Sequence, residues 1–199
     1  MTQGKLILFC GPSGSGKTTI TRHLLNKFTQ LRFSVSATTR AKRPAEVHGS
    51  DYYFISVDEF KKKISEAAFV EWEEVYKDIF YGTLKSEIQR IWNEGKVVAF
   101  DVDVEGGLNI KKLYGNNLLA VFVKPLSVEV LRKRLAERNT ESPESLETRI
   151  AKAEHELLYE SKFDHVILND TLEHALELAI KLVNEFLGNK MPSRITINE

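Results

Sequence analysis

The stretch Gly11-Pro12-Ser13-Gly14-Ser15-Gly16-Lys17-Thr18 constrains this chain more than any other. It follows an apolar run, Leu6-Ile7-Leu8-Phe9-Cys10, and opens a helical pattern at Thr19-Ile20-Thr21-Arg22-His23-Leu24-Leu25. The apolar run reads as a buried strand, so the glycines fall at a turn from strand to helix. In that context the spacing G-x-x-x-x-G-K-[ST] describes a phosphate-binding loop. Gly11, Gly14 and Gly16 let the backbone curl until successive N–H groups point at one anion. The helix beginning near Lys17 adds its positive dipole end and unpaired donors. Lys17 brings a point charge to the outer phosphates, and the Thr18 hydroxyl is placed for Mg2+.

The 199 residues suit one domain with small insertions, and a 42% hydrophobic fraction is ordinary for a folded protein. Lys plus Arg equals Asp plus Glu, 28 each, which gives no overall basic field to hold a nucleic-acid polymer. Positive charge is local instead, at Arg40-Ala41-Lys42-Arg43 and Arg132-Lys133-Arg134, a distribution suited to a small anionic ligand. The single Cys10 ends the first strand as a core residue and fits a reducing compartment. No run reaches the roughly 18–20 apolar residues of a membrane span. The residues before Leu6 are too few and too polar for a secretory signal, so a cytoplasmic location is expected, away from membranes.

Along the chain, Phe33-Ser34-Val35 reads as a short strand, and Ser36 to Glu46 has neither helical nor strand periodicity. Asp51 to Ile55 returns to strand composition, and Ser56-Val57-Asp58-Glu59 is a capping box that opens a helix. Phe69 to Trp72 and Ile79 to Gly82 read as an antiparallel pair, followed by a helix from about Leu84 to Asn93 that Gly95 ends. Val97–Asp101, Leu118–Val123 and Val166–Leu168 are buried-strand runs. Helical patterns start near Ser127, after Ser142-Pro143 and at Thr171, the last stopping at Gly188. Alternating strands and helices predict a mostly parallel sheet covered on both faces, interrupted by a small lobe from Ser36 to Gly82. The polar stretch Glu137 to Pro143, with Arg134, Arg138 and Arg149 around it, has the chemistry of a closing lid.

Phosphoryl transfer is mostly positioning and charge neutralisation, so these three arginines are the expected catalytic groups beside Lys17. A nucleoside monophosphate acceptor is already ionised and needs no general base, in keeping with the scattered His23, His48, His155, His165 and His174. Arg40 and Arg43 offer two guanidinium forks for an acceptor phosphate, with phenolic donors at Tyr52 and Tyr81. Guanine presents N1–H and N2 donors beside O6, which a carboxylate with hydroxyls complements. Glu71 facing adenine would oppose lone pairs to lone pairs.

Together, Gly11–Thr18, Ser36-Ala37-Thr38-Thr39-Arg40 with Arg43, Asp51-Tyr52, Phe69-Val70-Glu71-Trp72, Tyr81-Gly82-Thr83, Asp101-Val102-Asp103 and Asn169-Asp170 resemble the guanylate kinases. The likeness extends to about Phe186. It implies transfer of the γ-phosphate of ATP to GMP with Mg2+, giving ADP and GDP, in purine nucleotide metabolism and GMP recycling. ATP and GMP are then the partners, with dGMP as a further acceptor and no obligate protein partner. The resemblance assigns Gly11, Pro12, Ser13, Gly14, Ser15, Gly16, Lys17, Thr18, Thr19 and Asn169 to ATP, the last on the adenine side. It assigns Arg40, Arg43, Tyr52 and Tyr81 to the GMP phosphate, and Ser36, Glu71, Thr83 and Asp103 to guanine. Lys17, Arg134, Arg138 and Arg149 become the catalytic groups. Thr18 would meet the metal directly and Asp101 through water. Lys42, Ala45, Phe80 and Glu105 stand where the family commonly has Pro, Gly, Tyr and Gln.

The implied fold is α/β, a P-loop NTPase-like parallel sheet core flanked by helices, with an inserted small GMP-binding lobe and a helical lid. One domain spans 1–188: core 1–35, 84–133 and 153–188, lobe 36–83, lid 134–152; residues 189–199 form a mobile tail. Two other readings stay open. A kinase-like interaction module of scaffold proteins is disfavoured by the complete phosphate loop. A kinase for another monophosphate or a ribose phosphate is disfavoured by Glu71, Ser36 and Thr83.

Overall fold

The computed structural model describes residues 4–136 and 143–189. Its centre is β1 (Leu6–Cys10), every residue of which is buried. A strand can be apolar on both faces only where both are covered, and strand alternation sends its side chains two ways. Leu6, Leu8 and Cys10 enter a core closed by Ile88 and Ile91 of α3 (Lys85–Asn93) and by Val104 and Ile110 of α4 (Val104–Tyr114). Ile7 and Phe9 enter a second core, closed by Ile20 and Leu24 of α1 (Lys17–Lys27) and by Ala175, Ala179 and Val183 of α7 (Leu172–Leu187).

The other strands of this five-stranded sheet are β2 (Leu31–Phe33), β7 (Val97–Asp101), β8 (Leu118–Pro125) and β9 (His165–Asn169). Their spatial order is β2-β7-β1-β8-β9, all pairings being parallel. The chain leaving β1 goes to β2 on one side, whereas the chain leaving β8 goes to β9 on the other. Connections that diverge in this way leave a crevice at the carboxyl ends of the strands. Register puts Phe9 beside Asp101, so the loop after β1 and the end of β7 meet there.

A second, smaller sheet is built from β3 (Ala37–Thr38), β4 (Tyr53–Phe54), β5 (Phe69–Tyr76) and β6 (Ile79–Leu84), in the order β4-β3-β6-β5. The helix α2 (Val57–Ser65), capped by Ser56 Oγ accepting from the Glu59 N–H, covers it. Phe60 of that helix stacks on Phe69 and Phe80 at ring separations of 4.3 and 5.2 Å. The β5–β6 hairpin turns at Lys77-Asp78, with Asp78 at φ 60° and its N–H bonded to Glu74. Two further helices, α5 (Val128–Ala136) and α6 (Pro143–Leu157), share Leu131, Leu135, Ile150 and Ala153.

Three elements differ from the sequence expectation. The strand expected at Phe33–Val35 lies at Leu31–Phe33, because the Val35 N–H leaves the sheet for Glu87. The periodicity-free loop contains β3, too short for a pattern of its own and formed by pairing with β4 and β6. The helix α4 was not expected, since Gly106-Gly107 weakens a helical reading despite the cap residues Asp103 and Gly115 at its ends. The expected mobile tail lies outside the described residues apart from Asn189, as does most of the polar stretch from Glu137 to Pro143.

Where the chain passes between the two sheets, Glu87 is 3% exposed and accepts from Val35 N–H (3.3 Å), Tyr53 O–H (3.0 Å) and the Arg90 guanidinium (3.0 and 2.8 Å). Burial pushes its carboxyl up, but these donors hold it below the ordinary range. Removing such an acceptor orphans buried donors. Glu87→Ala is expected to cost about 2 kcal/mol in urea denaturation, and Glu87→Gln less.

Candidate functional site

The loop after β1 is held in a shape few side chains tolerate. Gly11 has φ 145° and Gly16 φ 100°, and a Cβ would come within 2.4 Å of the Val123 carbonyl oxygen at the first and 2.3 Å of Asn169 Nδ2 at the second. Both conditions exclude other residues. Gly16 also caps α1, so the loop delivers the chain directly into the first helical turn, at Lys17 and Thr18. Asn169, 3% exposed at the end of β9, donates its amide to the Ser15 carbonyl at 2.7 Å, and Ser15 N–H donates to Pro12 at 3.0 Å. The Arg134 guanidinium lies 3.4 Å from the Gly14 carbonyl.

Thr18 Oγ1 donates to Asp101 Oδ2 at 2.5 Å, which brings the helix start and the end of β7 together. This pair suits a magnesium ion that takes one protein hydroxyl, keeps waters and relies on nucleotide phosphates for its other oxygens. No cluster of three or more His, Cys, Asp or Glu suited to a metal occurs among the described residues.

These groups line a cleft of about 440 Å3. Gly11, Ser13, Lys17, Thr18 and Asp101 line it together with Ser36, Tyr52, Glu71, Tyr81 and Asp103, and Arg149 enters from α6. No histidine lines it among the described residues. Burial pushes the Glu71 carboxyl up, opposed by the Thr83 hydroxyl, which donates to Glu71 Oε1 at 2.5 Å. Gly106 makes room for this acid, since a Cβ there would sit 3.0 Å from Glu71 Oε2. Asp103 caps α4 by accepting from Gly106 N–H at 2.9 Å. Tyr52 and Tyr81 meet edge to face at 5.8 Å.

The remaining residues of interest sit off the cleft wall. Thr83 is fully buried and engaged with Glu71. Asn169 lies beneath the loop, its amide spent on Ser15, rather than at an open base site. Arg40 forks onto Glu46 and stacks over the Tyr52 ring at 5.0 Å. That bond pulls the Glu46 carboxyl down to about 2. Arg43 is exposed, its N–H bonded to Glu46 at 2.8 Å, and Thr19 is exposed on α1. Arg138 lies outside the described residues. Arg132, two residues before Arg134, pairs with Glu147 across α5 and α6.

Three charged cleft residues were missed by sequence reasoning: Glu73, Lys152 and Glu156. Periodicity held the signal, because Glu73 is two residues from Glu71 on a strand, and Lys152 and Glu156 follow Arg149 at helical spacings of three and seven. Lys152 Nζ stands 3.4 Å from Asp103, 3.7 Å from Glu73 and 4.0 Å from Glu156. A proton shared with Asp103, then burial, raises the Glu73 carboxyl to about 7. Asp103 is held low despite burial, by Glu73, the Gly106 amide and Lys152.

A glycine-lined anion nest at the switch point of a parallel sheet, facing an acid-lined pocket on an inserted sheet, defines a P-loop nucleoside monophosphate kinase. The guanylate kinase family model matches residues 3–186. The chain is 51% identical over 186 residues to a guanylate kinase of Bacteroides fragilis, covering 94% of this chain and 91% of that protein. It is 48% identical over 185 residues to one of Porphyromonas gingivalis, with coverages of 92% and 98%. The crystal structure of guanylate kinase from Anaplasma phagocytophilum superposes with a TM-score of 0.72 at 26% identity, over 97% of this chain and 89% of that one. This chain belongs to the guanylate kinase family. No helix among the described residues is long and apolar enough to cross a membrane.

Glu156, 8% exposed, has its carboxyl raised by burial to about 7. Its unfolded value is about 4.3, so between the two the folded state keeps a proton that the unfolded state has lost, and stability falls as pH rises through that window. Glu156→Gln should remove this slope, losing on the order of 1–3 kcal/mol less than the parent between pH 5 and pH 8 in denaturant titrations.

Proposed function

We propose that this cleft carries out ATP:GMP phosphotransfer with the donor at the glycine loop and the acceptor at Glu71. The chain is an enzyme that moves the γ-phosphate of ATP to GMP, giving ADP and GDP. The observation that supports the division of labour is that one cleft is lined both by Lys17, Thr18 and Asp101 of the glycine loop and its neighbour strand and by Glu71, on the smaller sheet, with Asp103 beside it.

At the donor end, Gly11 to Gly16 turn amide donors toward the β- and γ-phosphates, and Lys17 meets the outer oxygens. Thr19 continues the same helix turn. Asn169 serves ATP through the loop it braces. Thr18 and, through water, Asp101 would hold Mg2+, which supplies charge neutralisation on the phosphate oxygens when bound. At the acceptor end, Glu71, with Thr83 behind it, accepts from guanine N1–H and N2–H; Asp103 and Ser36 complete the base contacts. Tyr52, Tyr81, Arg40 and Arg43 take the GMP phosphate, Arg40 exchanging Glu46 for it. Residues 134–152 close over the cleft as a lid.

An ionised oxygen of the GMP phosphate attacks the γ-phosphorus as the bond to the β–γ bridging oxygen breaks. The electron pair stays on the departing ADP, whose new charge Lys17 and the loop amides stabilise. Arg134, Arg138 and Arg149 neutralise the phosphoryl group in transit. No proton needs to move, in keeping with a cleft wall without histidine among the described residues.

Lys17→Ala should lower kcat by about 10^2-fold or more with an unchanged melting profile, measured by coupled ADP release. Glu71→Gln should raise KM for GMP about 5- to 150-fold and leave KM for ATP within about twofold. The same assay across GMP, dGMP, AMP, CMP and UMP tests the base assignment: comparable turnover of AMP would remove Glu71 from the base pocket.

A further inference from the structure

Lys152 has no part in the chemistry described so far, yet it touches three of the elements that enclose the cleft. Its ammonium stands 3.7 Å from Glu73 of β5, 3.4 Å from Asp103 at the cap of α4 and 4.0 Å from Glu156 of its own helix. Glu73 shares the cleft-facing side of β5 with Glu71, and Arg149 lies three residues before Lys152 on the same wall.

The charges of that wall are unequal. Glu71, Glu73, Asp101, Asp103 and Glu156 face Lys17, Arg149 and Lys152. Both substrates of this family's reaction are polyanions, so every carboxylate of that wall that gives up its proton repels what must bind there. Glu73, Asp103 and Glu156 converge within 4.0 Å of one ammonium, which therefore sits where the acids are densest. A single exposed ion pair is worth little, but one cation shared among several acids gains from each.

We propose that Lys152 is a positioning residue for the acceptor, holding Glu73 and Asp103 to α6 and neutralising the wall that guanosine monophosphate approaches. It acts through those carboxylates, without touching the reacting atoms. The inference rests on the reading that Glu71 and Asp103 form the guanine end. It couples α6, which carries Arg149, to the sheet that carries Glu71, so acceptor binding and placement of the helix become one event.

The test is steady-state kinetics on the full chain and on Lys152→Met, Lys152→Arg, Glu71→Gln and the double variant Lys152→Met with Glu73→Gln. KM is measured for GMP and for ATP with the other substrate saturating. Lys152→Met should raise KM for GMP about five- to tenfold and leave KM for ATP within about twofold. Lys152→Arg should restore most of the loss, and adding Glu73→Gln to Lys152→Met should recover part of it by removing one repelling charge. A merely structural lysine would shift both KM values together with the melting temperature, and that result overturns the proposal. So does a GMP KM changed by less than twofold. If Glu71→Gln separates the two KM values and Lys152→Met does not, this inference alone fails; if Glu71→Gln does not separate them, the acceptor-site reading fails with it.

Discussion

Everything else in this fold rests on the clamp that two strand ends place on the glycine loop. The loop from Gly11 to Gly16 is pressed between β8 and β9, with the Val123 carbonyl at one glycine and the Asn169 amide at another. A backbone so confined keeps the curled shape in which successive loop amides can turn toward phosphate oxygens. The confinement comes from the sheet. Only a strand covered on both faces can be as uniformly apolar as Leu6–Cys10, and only parallel strands bring their carboxyl ends to one edge. The register that aligns Phe9 with Asp101 then puts a carboxylate 2.5 Å from the Thr18 hydroxyl.

Much of this was readable from the residues, and the exceptions have physical causes. The core strands announce themselves as short apolar runs bounded by Gly or Asp, and Thr171 and Gly188 mark the ends of α7 because caps are local chemistry. The helix α4 was missed because its glycines answer to neighbours distant in sequence. Gly106 leaves space for Glu71 of β5, and Gly107 lies where a Cβ would meet Leu8 at 3.1 Å. Two-residue strands such as β3 carry no period and arise from pairing alone.

The site shows the same division. The glycine loop and Glu71 are visible as motifs, but which groups face the cleft depends on tertiary partners. Thr83 and Asn169 look like ligand contacts in the sequence and are found supporting Glu71 and Ser15 from behind. Glu73, Lys152 and Glu156 look like ordinary surface charge, and the fold gathers them onto one wall. Periodicity predicts which residues share a face of one element; it does not predict which faces of three elements converge.

Several charged groups assigned to the substrates are already partnered within the protein. Arg40 holds Glu46, Thr18 holds Asp101, and Thr83 holds Glu71. Binding is therefore an exchange, and its free energy is the difference between two sets of contacts. Such exchanges make weak demands on affinity but strong ones on fit. A ligand that displaces Glu46 from Arg40 must offer a fork of oxygens at least as good as a carboxylate, which a phosphate does. On the proposed reading, a base that meets Glu71 must offer donors to a half-buried acid, because a carboxylate left unmatched there loses water without compensation. If Glu71 reads the base as proposed, selectivity for guanine comes less from attraction than from the cost any other base leaves behind.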